Sequence, residues 1–206
     1  REYSVRGHRN GHLRLSDLED LERYCYFVAG TVGNLLSDLF LLRHPDLGQP
    51  HLNAVRANAV HFGLGLQLVN IVKDVADDLP RGVCFLPQDL LHARELPESE
   101  LLDPARRDDG MAVVSAVCDR ARTHLQRAVE YTQAWPADAA SDVRMFCAVP
   151  LCFAIATLHE VEQGQDTLVP GKVPKITRDQ VGSIFAGALA ASRSKKALAE
   201  LVASVA

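Results

Sequence analysis

Apolar residues recur every three to four positions along nearly the whole chain, and β-branched alternation is scarce. That period belongs to amphipathic helices, so the pattern predicts an all-α protein. The first predicted helix runs from about Asp17 to His44. Ser16 with Glu19 three residues on reads as its capping box, and Pro45 stops it. A second runs from about His51 to Leu79 and ends at Pro80 and Gly82. A short piece covers 87–93, and "ARELPESELLDPARRDDG" reads as loop, with prolines and dense charge. Helices follow over 109–134 and 139–164. After the connector "QGQDTLVPGKVPKIT", a last helix begins behind Thr177 as N-cap. No internal repeat and no low-complexity segment interrupts this order. Two of the helices are long, which suits a large bundle in one domain, 1–206.

One stretch breaks the apolar rhythm. "LQLVNIVKDVADDLPRG" (66–82) follows the apolar "VHFGLGLQL", yet it carries Gln67, Asn70, Asp74, Asp77 and Asp78. Helical residues advance about 100° each, so i, i+4 and i+8 share one drifting face. Asn70, Asp74 and Asp78 have that spacing, with Gln67 about one turn earlier. Leu66, Val69, Ile71 and Val72 keep the other sides apolar. Two carboxylates and an amide oxygen in a row suit Mg²⁺, a hard cation that takes oxygen ligands and is commonly shared with substrate phosphates. Lys73 and Arg81 add positive charge suited to a diphosphate. A solvated helix face would give the same spacing. Acids emerging from an apolar wall favour a ligand site.

Composition narrows the classes. A net charge of −4 with pI about 6.1 and no basic stripe speaks against nucleic acid. Cys25, Cys84, Cys118, Cys147 and Cys152 form no CxxC pair and sit mostly in apolar runs. They read as reduced core thiols of a cytoplasmic protein rather than a disulfide or metal framework. The longest strongly apolar stretch, Met145 to Leu158, contains Pro150 and falls short of the ~20 residues of a membrane span. No signal peptide is visible. The opening "REYSVRGHRNG" has no initiator Met and reads like an internal loop, so residues are expected to precede Arg1. His8, His12, His44, His51, His61, His92, His124 and His159 share no metal-ligand spacing and read mostly as surface or cap residues. Trp135 before Pro136 reads as a helix-end anchor, and Lys172, Lys175 and Arg178 as a solvated loop.

The stretch "QLVNIVKDVADDLPRGVCFLP" resembles the second aspartate-rich motif of the squalene and phytoene synthase family, Q-L-x-N-I-x-[R/K]-D-x-x-x-D followed by an Arg/Gly-rich hinge and Y-L-P. Tyr24 to Gly33, "YCYFVAGTVG", resembles a second family motif, in the family's order and separation. Weaker resemblance extends through "PLCFAIATL" and "KITRDQV". The resemblance implies an isoprenoid synthase-type helical bundle with a central cavity. It implies head-to-head condensation of two allylic diphosphates through a cyclopropyl intermediate, giving a squalene-, dehydrosqualene- or phytoene-type product. Mg²⁺ is implied as cofactor, and NADPH only where the product is squalene. Asn70, Asp74 and Asp78 would hold Mg²⁺ against a diphosphate that Gln67, Lys73 and Arg81 help to position. Tyr24 would stand at the cavity mouth near the ionising group, a catalytic place with Asp74 and Asp78. Val28, Val32, Gly33 and Leu36 would line a tunnel for the isoprenyl tail, facing Ala59, Phe62 and Leu66. Read without the resemblance, these apolar residues are ordinary core, although Val28, Val32 and Leu36 share one helical face and Ala59, Phe62 and Leu66 another.

The chain departs from the family pattern in three respects. The family carries two facing aspartate-rich motifs, and one is visible here; the N-terminal helices bearing the other are expected upstream. Val83 and Phe85 stand where Arg and Tyr are usual, and Lys73 where Arg is frequent. Two alternatives therefore stay open. A class I terpene cyclase carries an N-x-x-x-[S/T]-x-x-x-E motif spaced like Asn70, Asp74 and Asp78, although "YCYFVAGTVG" speaks against it. A catalytically inactive homologue acting as an assembly or scaffold protein is the other. Isoprenyl diphosphates are the expected partners. The products would be very apolar, so peripheral membrane contact for release is an expectation that no basic amphipathic helix demonstrates. Oligomeric state is not legible.

Overall fold

The computed structural model describes residues 14–206. His8, His12 and the opening loop-like segment lie outside the described residues. Helices and short turns, with no strand among the described residues, make up the chain. The long helices are α1 (Leu18–Cys25), α2 (Thr31–Arg43), α3 (Gln49–Asp78), α5 (Arg107–Ala134), α6 (Ser141–Gln163), α7 (Arg178–Ala191) and α8 (Lys195–Val205), with the short α4 (Gln88–His92) between α3 and α5. A π-helical turn, Tyr26–Gly30, joins α1 to α2 in one continuous rod.

Local chemistry explains most of these boundaries. The cap of α1 lies one residue later than the sequence reading placed it. Asp17 is the N-cap, and its Oδ1 accepts from the Asp20 amide at 2.8 Å. Asp20, not Glu19, reaches back, its Oδ2 accepting from the Ser16 amide at 3.1 Å. A carboxylate at the N-cap also meets the positive end of the helix dipole, which the Ser16 hydroxyl cannot do. Thr177 is the N-cap expected of it, and Gln180 extends it to a box: Gln180 N–H donates to Thr177 Oγ1, and the Gln180 side chain accepts from the Thr177 amide. The expected last helix is two, α7 and α8, separated at Ser192–Ser194, with Ser194 capping α8. Pro150 does not interrupt α6. An interior proline costs about 3 kcal/mol. Here Cys147, Ala148, Leu151 and Cys152 on both sides of it are buried in the core, and that packing holds the helix through the missing hydrogen bond.

The central helix α3 packs most extensively on α5, and α2 and α6 flank it. Leu64, Leu68, Val69, Ile71, Val72 and Val75 from α3 meet Val113, Val114, Val117, Ala121 and Leu125 from α5 in the main core. A second core gathers around Trp135, which is fully buried as the anchor expected of it. A third joins α6 to α7 and α8. Buried Arg144 ties these layers: its guanidinium donates to the Trp135 carbonyl at 3.1 Å and the Ala191 carbonyl at 2.9 Å, satisfying two helix ends at once. All five cysteines are free and buried, as the sequence suggested. Burial pushes their thiols well up, to about 12 for Cys25, Cys118, Cys147 and Cys152 and about 11 for Cys84.

The rod formed by α1, the π turn and α2 lies against α3 along a seam of glycines. A Cβ on Gly33 would stand 2.2 Å from the Ala59 carbonyl oxygen, and one on Gly63 would stand 2.3 Å from that of Ala29. Both are backbone atoms, so the two helices touch main chain to main chain. The opposite side of the rod is uncovered: Val28, Val32, Leu35, Leu39 and Leu42 recur at helical spacing and are all exposed, Leu42 by 79%. By length and composition alone, the rod Leu18–Arg43 and the helix Ser141–Gln163 could each cross a membrane, the second of them half buried in this fold. That revises the shorter apolar limit read from Met145–Leu158, because the structure continues both helices beyond their most apolar stretches.

Candidate functional site

The acidic stripe is where the helical spacing predicted it. Asn70 is exposed, and Gln67, Asp74 and Asp78 are half-exposed on the last turns of α3, while Val69, Ile71, Val72 and Val75 face the core. Its cations are close. Lys73 Nζ donates to Asp74 Oδ1 at 2.6 Å, and Arg81 Nη1 stands 3.6 Å from Asp78 Oδ1. Arg81 belongs to the 3₁₀ turn Leu79–Arg81, which Gly82 ends in the left-handed conformation at φ 77°. That positive φ is a reason for glycine at this position. Partial burial raises the Asp78 carboxyl above the usual carboxylate range, and the neighbouring Asp74 adds to the rise; Arg81 only partly offsets them. The two acids of the stripe thus stand near enough to oppose each other's charge.

Tyr24 completes this end of the molecule. Its ring stacks on Phe85 with centroids 5.0 Å apart and planes 30° from parallel. Its hydroxyl is raised above the ordinary tyrosine range by burial first, then by Cys25 and by the charge of Asp78. The rod thus brings Tyr24 to the acids at the end of α3, with Phe85, from the irregular segment after the hinge, as its platform. The segment is held by Val83 N–H donating to the Asp78 carbonyl at 3.2 Å. Phe85 was noted in the sequence only for the hydroxyl it lacks. Its role as a stacking partner had no local signal.

From Tyr24 the apolar row leads away: Val28 is one turn on, then Val32, and beyond them Leu35, Leu39 and Leu42. Continuing the 28–32 spacing along α2 finds these last three. Leu36 is only half-exposed beside the row. Gly33 and Ala59 meet each other in the seam, with Ala59 buried. Phe62 packs edge-on to Tyr131 at 5.4 Å, and Leu66 lies against the main core.

Among the described residues no three His, Cys, Asp or Glu side chains converge on a closed metal cage. The stripe is an open set of two carboxylates and an amide on one helix face. Mg²⁺ fits such a set because it keeps several water or phosphate ligands and needs only one or two carboxylates. Other polar residues resolve into structural roles. His51 Nδ1 meets the Ala134 carbonyl at 2.7 Å, and Lys172 pairs with Asp166 at 2.9 Å. His61 and His124, read with the other histidines mostly as surface or cap residues, meet each other in a part-buried contact, and His124 also meets Glu22.

The site is an all-α bundle with acids and a tyrosine at one end of an apolar wall. Comparison then gives the family: the squalene/phytoene synthase description matches residues 4–180, and the chain belongs to that family. It is 31% identical over 156 residues to the squalene synthase of Cyberlindnera jadinii, covering 75% of this chain and 34% of that protein. It is 29% identical over 166 residues to the 15-cis-phytoene synthase of Enterobacter agglomerans, covering 78% and 53%. Its fold superposes on the solved complex of TcSQS with the ligand BPH1237 with a TM-score of 0.80 at 25% identity, covering 93% of this chain and 54% of that one. The isoprenoid synthase-type helical fold is thereby established. The chain spans about a third to a half of the length of the curated relatives it matches.

Proposed function

We propose that this protein contributes the diphosphate grip and one apolar wall of a head-to-head prenyltransferase, which joins two allylic isoprenyl diphosphates and releases diphosphate. The observation that carries the reading is the juxtaposition of Tyr24 with the Asn70–Asp74–Asp78 stripe at the start of the exposed row Val28, Val32, Leu35, Leu39 and Leu42. Family membership supports it.

Asn70, Asp74 and Asp78 would hold Mg²⁺, which supplies Lewis-acid stabilisation of a diphosphate leaving group. Lys73 and Arg81 bind the outer phosphate oxygens; each is already within reach of an acid of the stripe. Gln67 orients the same group by hydrogen bonding. Tyr24, held flat on Phe85, limits where the departing oxygen and the allylic carbon can sit. Val28 and Val32 offer the isoprenyl chain a surface without nucleophiles, so that side of an allylic cation formed beside Tyr24 meets hydrocarbon. Leu36 borders that surface. Gly33 and Ala59 act one step back, because their close contact sets how near α2 stands to α3. Phe62 and Leu66 support the same wall from α3.

The test incubates the full chain with farnesyl or geranylgeranyl diphosphate and Mg²⁺, with and without NADPH, and reads products by mass spectrometry beside an Asp74→Ala control. A C30 or C40 head-to-head hydrocarbon that vanishes in the control is the expected result, and its NADPH dependence separates squalene-type from phytoene-type chemistry. A cyclised product would make the chain a terpene cyclase. No turnover of either substrate by a protein that carries both aspartate-rich motifs would overturn the enzyme reading in favour of a scaffold role.

A further inference from the structure

The apolar wall that begins at Val28 has a far end, and aromatic rings stand there. The four-residue spacing of Val28, Val32 and Leu36 continues to Phe40, the last of that series on α2. Phe40 is half-buried against the Trp135 core, whereas Leu39 and Leu42 beside it are open. Its ring meets Trp135 edge-on, with centroids 5.8 Å apart and planes at 89°, and Phe146 of α6 at 5.5 Å and 72°. Such edge-to-face pairs hold a ring beyond what its burial alone would do. Trp135 is fully buried behind Phe40, so the Phe40 ring cannot yield inward. Phe146 reaches the same ring from a third helix and is itself 56% exposed. The seam pairs Gly33 with Ala59 and Ala29 with Gly63, so α3 runs back along α2, and Phe40 stands at the end away from the acids.

We propose that Phe40, braced by Trp135 and Phe146, is the stop that limits the isoprenyl tail on this wall to C20. The inference rests on the reading above, in which the diphosphate sits at the stripe and the tail runs from Tyr24 along Val28 and Val32. At about 1.5 Å of rise per residue, Leu36 lies about 18 Å and Phe40 about 24 Å along the rod from Tyr24. Helical side chains lean toward the N-terminus of their helix, so the Phe40 ring covers the surface just beyond Leu36. An extended chain advances about 1.2 Å per bond, and each isoprene unit adds four bonds. A C15 tail is then about 14 Å long, a C20 tail about 19 Å and a C25 tail about 24 Å. The C15 tail ends between Val32 and Leu36. The C20 tail ends against the Phe40 ring. The C25 tail would have to pass through it, and the rings behind it leave no room to turn aside.

The test titrates the full chain, with Mg²⁺, against C15, C20 and C25 prenyl thiolodiphosphates, which bind without ionising, and reads affinity by calorimetry. In the wild type C25 should bind at least about tenfold more weakly than C20, the scale set by one group too many in a closed pocket. Phe146→Ala, at an exposed ring, and Phe40→Leu, which keeps the surface apolar, should each bring C25 to the affinity of C20, with helical circular dichroism confirming that both fold. Phe185→Ala, at an exposed ring of α7, is the control and should keep the gap. Trp135 is the one tryptophan of the chain, so saturating C20 should change its emission and saturating C15 should not. A purely structural Phe40 would give no such difference. Equal binding of C20 and C25 by the wild type, or a gap that survives both substitutions, would overturn the stop. The same lengths as free prenols need no diphosphate grip and separate the two readings. Diphosphates that fail to bind while the prenols keep their C20 limit would defeat the grip and leave the stop. Prenols that show no length limit, or do not bind, would overturn the stop.

Discussion

The two sides of the α1–α2 rod use similar apolar residues for opposite ends. On the inner side Gly33 meets Ala59 and Gly63 meets Ala29 at backbone distance, and no side chain fits between. On the outer side Val28, Val32, Leu35, Leu39 and Leu42 stand exposed and touch little of the described chain. Close packing makes the inner side the seat of stability, since interiors tolerate little volume change. The outer side adds little to stability and is free to meet a ligand. An exposed apolar row of this length is unusual in a folded surface and marks an interaction site.

That contrast can be broken from either side. The largest effect should come from the acids where the rod meets α3. Asp74→Asn should lower prenyl transfer by roughly 100-fold or more, because metal stabilisation of a leaving group supplies several kcal/mol, while urea unfolding shifts by less than about 0.5 kcal/mol. A parallel fall in stability would show that the stripe is structural. On the seam, Gly63→Val should destabilise by about 3 kcal/mol, the upper end of overpacking, because the obstacle is the Ala29 carbonyl and cannot turn aside. Gly182→Ala on α7 is the control: nothing lies within 4 Å of the added methyl, so helix entropy should raise stability by about 0.4–1 kcal/mol. On the outer face Leu39→Ser should change stability by no more than about 0.5 kcal/mol, yet alter product yield or chain length in the mass-spectrometric assay. A large stability loss there would mean that the row is covered.

A smaller effect follows from pH. His61 is held below its ordinary value, by burial first and then by His124 and Arg127. The unfolded chain therefore takes that proton before the folded one does, and stability falls as pH drops below the ordinary histidine value. His61→Asn should flatten that limb of a melting-temperature profile without changing the plateau above it by much.

The acidic stripe was legible because its geometry is local. Asn70, Asp74 and Asp78 share a face in any α-helix, so their spacing alone placed them together. The helices, the Thr177 cap and the buried cysteines were equally readable, for the period of 3.6 and the capping chemistry act within a few residues. The Ser16 cap was misplaced by one residue because Ser16 and Asp17 both qualify, and only the actual chain path chose between them.

What the sequence by itself determined is therefore everything set by helical periodicity: the all-α class, the acidic stripe and the apolar face that begins at Val28. Tertiary structure alone decided which apolar residues became seam and which became open wall, that Phe85 would carry Tyr24, and that His61 would meet His124 from 63 residues away. The reason is physical. Such contacts depend on how whole helices settle against one another, and that settling is governed by close packing across the entire core rather than by any neighbour along the chain.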